Sequence, residues 1–183
     1  MLLHRRSVTS LFSNLVTRPT GRAIRTGVES QIAELEGGGQ ACLSILDFSQ
    51  VRVLDYSCAD EIVAKLLLRF AGDDRPADAF FVVRGIDEHH EEAIEAVLER
   101  HSLLLVAQDE AGAVKLLGEP DPVHRAVWDS LVRRGRAVPA EVAADTGLAV
   151  EAVEATLDGL VALRVAARLA DGAVTPVSRL LEE

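Results

Sequence analysis

Cysteine is almost missing from this chain: Cys42 and Cys58 are the only two in 183 residues. Two thiols build no disulfide framework, and their separation is not the short paired spacing of a zinc site. A reducing cytoplasm is the natural setting, and neither a metal nor a cofactor is expected. Nor is there an unbroken apolar run of about 18 residues, so no membrane span is expected. The N-terminal "MLLHRRSVTSLFSNLVTR" carries arginines near its start. Ser, Thr and Asn interrupt its apolar residues, so it lacks the continuous core of an export signal. Positive charge is in deficit as well. With 19 Lys and Arg against 29 Asp and Glu, the formal net charge is -10. The molecule as a whole should be repelled by nucleic acid and by anionic membranes, so any DNA contact has to be local.

Catalytic signatures are also lacking. No nucleophile elbow or zinc-hydrolase motif frames the serines and histidines, and the chain is not expected to be an enzyme. "GGGQ" at 37–40 precedes an apolar run, whereas phosphate-cradling loops follow a strand and open a helix, so it is expected to be a turn. In "DEHHEEAIE" the adjacent His89 and His90 point about 100° apart on a helix, and only spacings of three or four share a face. His90, Glu91 and Glu92 are therefore expected to form a solvated helix start.

What is present is apolar material, 49% of the chain, enough for one full domain and a second small one. In "TGRAIRTGVESQIAELEGGG", Ile24, Val28, Ile32 and Leu35 follow helical spacing, with the glycines at 37–39 as a stop. "QACLSILDF" reads as a strand covered on both faces. The helix after it lines up Ala59, Ile62, Val63, Leu66, Leu67 and Phe70. "AFFVVRGI" (79–86) is a second buried strand. "DEHHEEAIEAVLERHS" is a helix with Ile94, Val97 and Leu98 inward, and "LLLVAQ" (103–108) and "AVKLL" (113–117) are strands joined by a polar turn. A strand or hairpin is expected before residue 20. Such alternation predicts an α/β layer with a largely parallel sheet.

"GEPDP" at 118–122 breaks the pattern. The boundaries follow: an α/β domain over 1–118, a linker over 119–122 and a second domain over 123–183. Beyond the break come a helix in "VHRAVWDSLVRRG", a short helix closed by Gly147, a third helix, and two β segments around an Asp-Gly turn. Trp128 shares a helical face with Val127, Leu131 and Val132, a core anchor. Helix, short helix, helix and hairpin over roughly 122–177 resemble a winged helix-turn-helix, a small α+β fold.

A strand ending in "LDFS", a short V-x-x-L-D connection and a serine at the mouth of an apolar helix resemble the STAS family, the sulfate-transporter and anti-sigma-factor-antagonist domains. "TRPTGRAIRTGVESQI" and "SCADEIVAKLL" are most similar to the STAS-like domains of unknown function, over about 8–117. In the antagonists, the loop reads Asp, Ser or Thr, Ser or Thr, Gly, and a partner kinase phosphorylates one hydroxyl. Matched from Asp55, this chain has Tyr56 at the usual phosphoacceptor, Ser57 at the second hydroxyl and Cys58 in place of glycine. The resemblance thus implies a regulatory, partner-binding corner of Asp47, Ser49, Asp55, Tyr56, Ser57, Cys58 and Asp60. Its partner would be a kinase-like or sigma-regulator-like protein.

Two readings of that corner stay open. Ser57 with Asp60 three residues on resembles a capping box, which alone accounts for a serine there. A phosphate on Ser57 would gain from the helix dipole and be repelled by Asp55, Asp60 and Glu61. Cys58 is expected as a buried small hydrophobe rather than a redox centre, and Cys42 as strand packing.

In the C-terminal part, the helix over 149–163 should offer Glu151, Glu154 and Asp158 to solvent and bury Val150, Val153, Leu157, Leu160 and Val161. A DNA-reading helix instead presents Arg, Lys, Asn or Gln. Arg133, Arg134, Arg136, Arg164 and Arg168 remain as candidate contacts to a DNA backbone. The expected function is a non-enzymatic regulatory protein acting by partner binding. The alternative is a DNA-binding transcription regulator with the STAS-like half for sensing or dimerisation. Either half, including the apolar "PVSRLL", offers a surface for a homodimer.

Overall fold

A computed structural model describes residues 4–35 and 40–182 of the chain. The fold is mixed α/β with a mostly parallel five-stranded sheet. The order along the chain is β1 (His4–Leu15), α1 (Arg18–Leu35), β2 (Ala41–Leu54), a helical stretch over 56–70, β3 (Ala79–Arg84), α4 (Glu88–His101), β4 (Leu105–Gln108) and β5 (Val114–Leu117). The helical stretch comprises α2 (Tyr56–Ala59), a π-helical turn (Asp60–Ala64) and α3 (Lys65–Phe70). The glycine run at 37–39, expected as the stop of α1 and as a turn, lies outside the described residues.

The strands lie in sequence order, β1-β2-β3-β4-β5, the first four parallel and β5 antiparallel. Connections that always step the same way and keep the usual right-handed sense leave every crossover helix on one face. Accordingly, residues of α1, 56–70 and α4 share one apolar cluster with Cys42, Leu46, Phe81, Val83 and Leu105. The opposite face, set by strand period 2, presents Leu43, Ile45, Phe80, Val82, Leu104, Val106 and Leu116.

That second face is covered by the C-terminal elements: α5 (Pro122–Arg134), α6 (Pro139–Thr146), α7 (Val150–Ala162), the hairpin β6 (Ala166–Arg168) and β7 (Val174–Pro176), and a 3-10 turn (Val177–Leu181). Trp128, Leu131, Leu157, Leu160, Val165 and Leu180 complete the same cluster as the sheet residues. Residues on the two sides of 119–122 therefore share a core. Glu151, Glu154 and Asp158 are exposed on α7.

The N-terminal segment, expected as a strand or hairpin, is one 12-residue strand paired in parallel with β2. Other expectations are corrected. The "VRVL" read as a connection is the end of β2, because β1 bonds along it to Leu54 with two register shifts. Val150, at the mouth of α7, is exposed rather than buried. "PVSRLL" is not a free apolar surface: Val177 and Leu180 are buried within the chain, and Arg6 of β1 donates to the Leu180 (2.9 Å) and Leu181 (3.0 Å) carbonyls. Among the described residues no helix is long and apolar enough to cross a membrane.

Candidate functional site

The helical stretch over 56–70 opens with a cap, and the cap is Asp55. Its Oδ1 accepts from the Cys58 backbone N–H and from the Ser57 hydroxyl, both at 2.8 Å. Ser57 is therefore a half-buried donor to Asp55 rather than the capping residue, and no Ser57–Asp60 box forms. Sequence spacing favoured Ser57 because serine and aspartate both cap; the β-extended backbone at Asp55 decides between them. Cys58 is fully buried, with its Sγ 2.9 Å from the Thr17 carbonyl, and burial pushes its thiol pKa up. A redox centre needs the opposite.

All five residues of the π turn are buried, including two carboxylates. Asp60 faces Arg18 (3.0 Å), His101 (3.1 Å) and Lys65 (3.9 Å). Glu61, 0% exposed, collects Arg18 (2.9 Å), Arg25 (3.3 Å), Arg22 (4.0 Å) and the Lys65 ammonium. Burial pushes both carboxyls up; Arg18 and His101 at Asp60, and Lys65 and Arg18 at Glu61, more than offset it, leaving both below the ordinary range. Close approach of α1 makes this possible. A Cβ on Gly21 would stand 2.9 Å from Glu61 Cβ and 3.1 Å from Cys58 Cα. Asp60, expected at the partner-binding corner, is 6% exposed and held by Arg18, Lys65 and His101 within the fold.

Sequence reasoning missed these cations. Arg18, Arg22 and Arg25 recur at four and three residues, one face of α1, which is a legible signal. What the spacing withholds is that the adjacent acids at 60 and 61 turn inward to meet them.

At the surface the corner offers Tyr56, 38% exposed, whose hydroxyl lies 3.1 Å from Arg100 Nη1. Beside it a shallow groove of about 510 Å³ runs between the end of β2 and α4. Val53, itself 48% exposed, lines it with Tyr56 on one side and His89, Glu92, Ala93 and Ala96 on the other, and Arg52 is the lining arginine.

Asp47 and Ser49 stand elsewhere. Asp47 lies eight residues before Asp55 on β2, roughly 25 Å of strand away, where it accepts from Arg84 Nε (2.9 Å) and the Ser49 N–H (3.0 Å). Burial pushes the Asp47 carboxyl up, but the bonds from Ser49 and Arg84 leave it below its ordinary range. Ser49 lines a second cleft of about 440 Å³ with His90 and Gln108. His90 is not solvated: it is 2% exposed, packs against Phe48 and closes a capping box with Asp87. Among the described residues no group of three or more His, Cys, Asp or Glu is placed to hold a metal ion.

The arginines considered for DNA divide. Arg164, 6% exposed, donates to the Ala79 carbonyl (2.9 Å) and to Asp78, and stacks 3.9 Å over Phe80. Desolvation lowers its pKa. Arg134 forks onto Asp145, Arg136 pairs with Asp171 and Arg168 with Asp158. Arg133 is exposed near the end of α5. Compared with family models, with curated proteins and with solved structures, the chain matches none.

Proposed function

We propose that the chain is a non-enzymatic regulatory protein of bacterial type, a STAS-like interaction domain coupled to a winged-helix module, that acts by binding a protein partner. The reading takes 1–118 as the STAS-like part and 123–183 as the winged helix. The observation that carries it is the Tyr56 groove. On a molecule of net charge -10, it combines exposed apolar groups, Val53 and Tyr56, with Arg52 and Glu92 on its lining, and Arg100 is bonded to the Tyr56 hydroxyl. Such a surface fits a partner segment with an apolar side chain flanked by carboxylates, and aromatic and arginine groups are those that dominate interfaces. The occupant is a regulatory protein of kinase-like or sigma-regulator-like class, and the setting is signal transduction in transcription control.

Direct DNA reading has less behind it. Arg164 is buried, Arg134, Arg136 and Arg168 are held by acids, and α7 turns Glu151, Glu154 and Asp158 outward. Those acids would face phosphates.

Affinity capture from the source cell with tagged full-length protein, followed by reconstitution from purified components, tests the groove. Wild type should retain one stoichiometric protein partner, and Val53→Glu should weaken the reconstituted complex at least about tenfold, a loss of ~1.4 kcal/mol. A partner held equally by wild type and Val53→Glu would overturn the assignment of the surface.

A further inference from the structure

β1 closes one edge of the sheet, and among the described residues it pairs with β2 alone. A sheet edge offers a row of unpaired N–H and C=O groups, and monomers blunt it with a short strand, a charge or a proline. The edge at β5 is blunted in this way: it is four residues long, with Lys115 exposed at its second position. β1 is not. It is 12 residues long, and from Ser7 onward it holds neither a charged residue nor a proline.

Contacts within the chain tell the two faces of β1 apart. Ser7 and Thr9 bond to Gln31 of α1 (3.3 and 2.7 Å) and Leu11 joins the helix-side cluster, whereas Arg6 reaches the C-terminal elements. By strand alternation Val8, Ser10 and Phe12 share the Arg6 face. Val8 is 44% exposed and Phe12 61%, so the C-terminal cover leaves both in solvent. Both register shifts against β2 take their extra residue from β2, and β1 stays extended as far as Ser13, whose φ of +64 kinks it. The uncharged stretch that ends at this kink, 7–13, has Ser10 at its centre. Laid antiparallel about a two-fold axis at Ser10, a second β1 brings Val8 opposite the second copy's Phe12, and Phe12 opposite its Val8. An aromatic facing a β-branched residue is a favourable cross-strand pair. Arg6 then meets Asn14 of the second copy, roughly 27 Å of strand from its own counterpart. No charged residue of either β1 faces a like one, which matters between two molecules of net charge -10.

We propose that two copies of the chain join through their β1 strands in this register, the two five-stranded sheets becoming one and Val8 and Phe12 covering each other across the axis. A pairing of about seven residues per strand buries less than the ~800 Å² per partner of a standard interface, so the dimer dissociates on dilution. It uses none of the residues lining the Tyr56 groove.

Sedimentation of the full chain over a concentration series up to about 1 mM tests the association. Wild type should pass from monomer to dimer. Phe12→Lys should weaken the dimer at least tenfold and leave the far-ultraviolet circular dichroism unchanged, because Phe12 is exposed in the single chain. Val8→Lys, at the other member of the pair, should do the same. Cross-linking tests the register. Directly opposed Cα atoms lie about 4.5–5.5 Å apart, within disulfide reach, and the native Cys42 and Cys58 are buried. Under mild oxidation Ser10→Cys should give a disulfide-linked dimer, and Asn14→Cys, whose two thiols would stand roughly 27 Å apart, should not. Three results would each overturn the proposal: a monomer throughout the series, a dimer that the folded lysine variants keep, or a Ser10→Cys chain that cross-links no better than Asn14→Cys. If a lysine variant fails to fold, the other and the two cysteine variants decide.

Discussion

Single side chains set the corner, and the carboxylates there do unlike work. Asp55 caps the helix, so Asp55→Ala should cost about 1 kcal/mol, while Ser57→Ala, which loses only a donor to that cap, should cost less than about 0.5 kcal/mol by urea titration. The reverse order would restore Ser57 as the cap. Glu61 is the buried centre of the charge cluster, and Glu61→Gln should destabilise the fold by ~2 kcal/mol, the scale of a hydrogen bond to a charged group. Because Asp60 and Glu61 both titrate below the ordinary carboxylate range when folded, the unfolded chain takes up protons first as the solution is acidified. Their contribution is complete above the ordinary carboxyl pKa values of about 4 and is lost as pH falls through them toward the folded values. Urea titrations carried from neutral pH to well below about pH 4 should show that loss in wild type and a shallower one in Glu61→Gln. An equal slope in both would contradict the cluster as drawn. That Cys58 is a buried small residue was legible from its place before an apolar helix stripe. That Asp60 faces inward was not, since a π turn leaves no periodic mark in sequence.

At the scale of elements, the alternation of strand and helix was readable because each apolar run keeps its period: 3.6 through Val28 and Ile32, continuous through "CLSIL" and "FFVV". Ends were harder. β2 runs on to Leu54 because β1 pairs with it there, a long-range fact that "SQVRVL" alone does not contain. Sequence likewise placed Arg164 near the hairpin, whereas its side chain crosses to the β3 end and holds Asp78 and Phe80. The continuous apolar character of β2 and β3 announced cover on both faces, and the same-sense crossovers supply only one. The C-terminal elements are the other. A fragment ending at residue 118 would leave Leu43, Ile45, Phe80, Val82, Leu104, Val106 and Leu116 uncovered. It should bind a hydrophobic dye such as anilinonaphthalene sulfonate and unfold without cooperativity, or aggregate. A fragment that unfolds cooperatively and binds no dye would mean that the shared core contributes little.

Across the whole molecule, the proposed preference for protein over nucleic acid rests on the excess of acid and on an apolar groove that Arg52 and Glu92 line. The balance is a matter of where cations are free. Most arginines of the C-terminal part are already committed to Asp78, Asp145, Asp158 and Asp171, whereas Arg52 borders the Tyr56 groove and Arg100 reaches Tyr56 itself. The most direct test is a titration of labelled duplex DNA, including fragments from around the protein's own gene, with folded full-length protein at low and at physiological salt. The account predicts no saturable binding at either salt. Sequence-selective binding whose logarithm falls with log salt at roughly -0.9 per phosphate contact, and which Arg133→Ala weakens, would contradict it and make the C-terminal part a DNA reader.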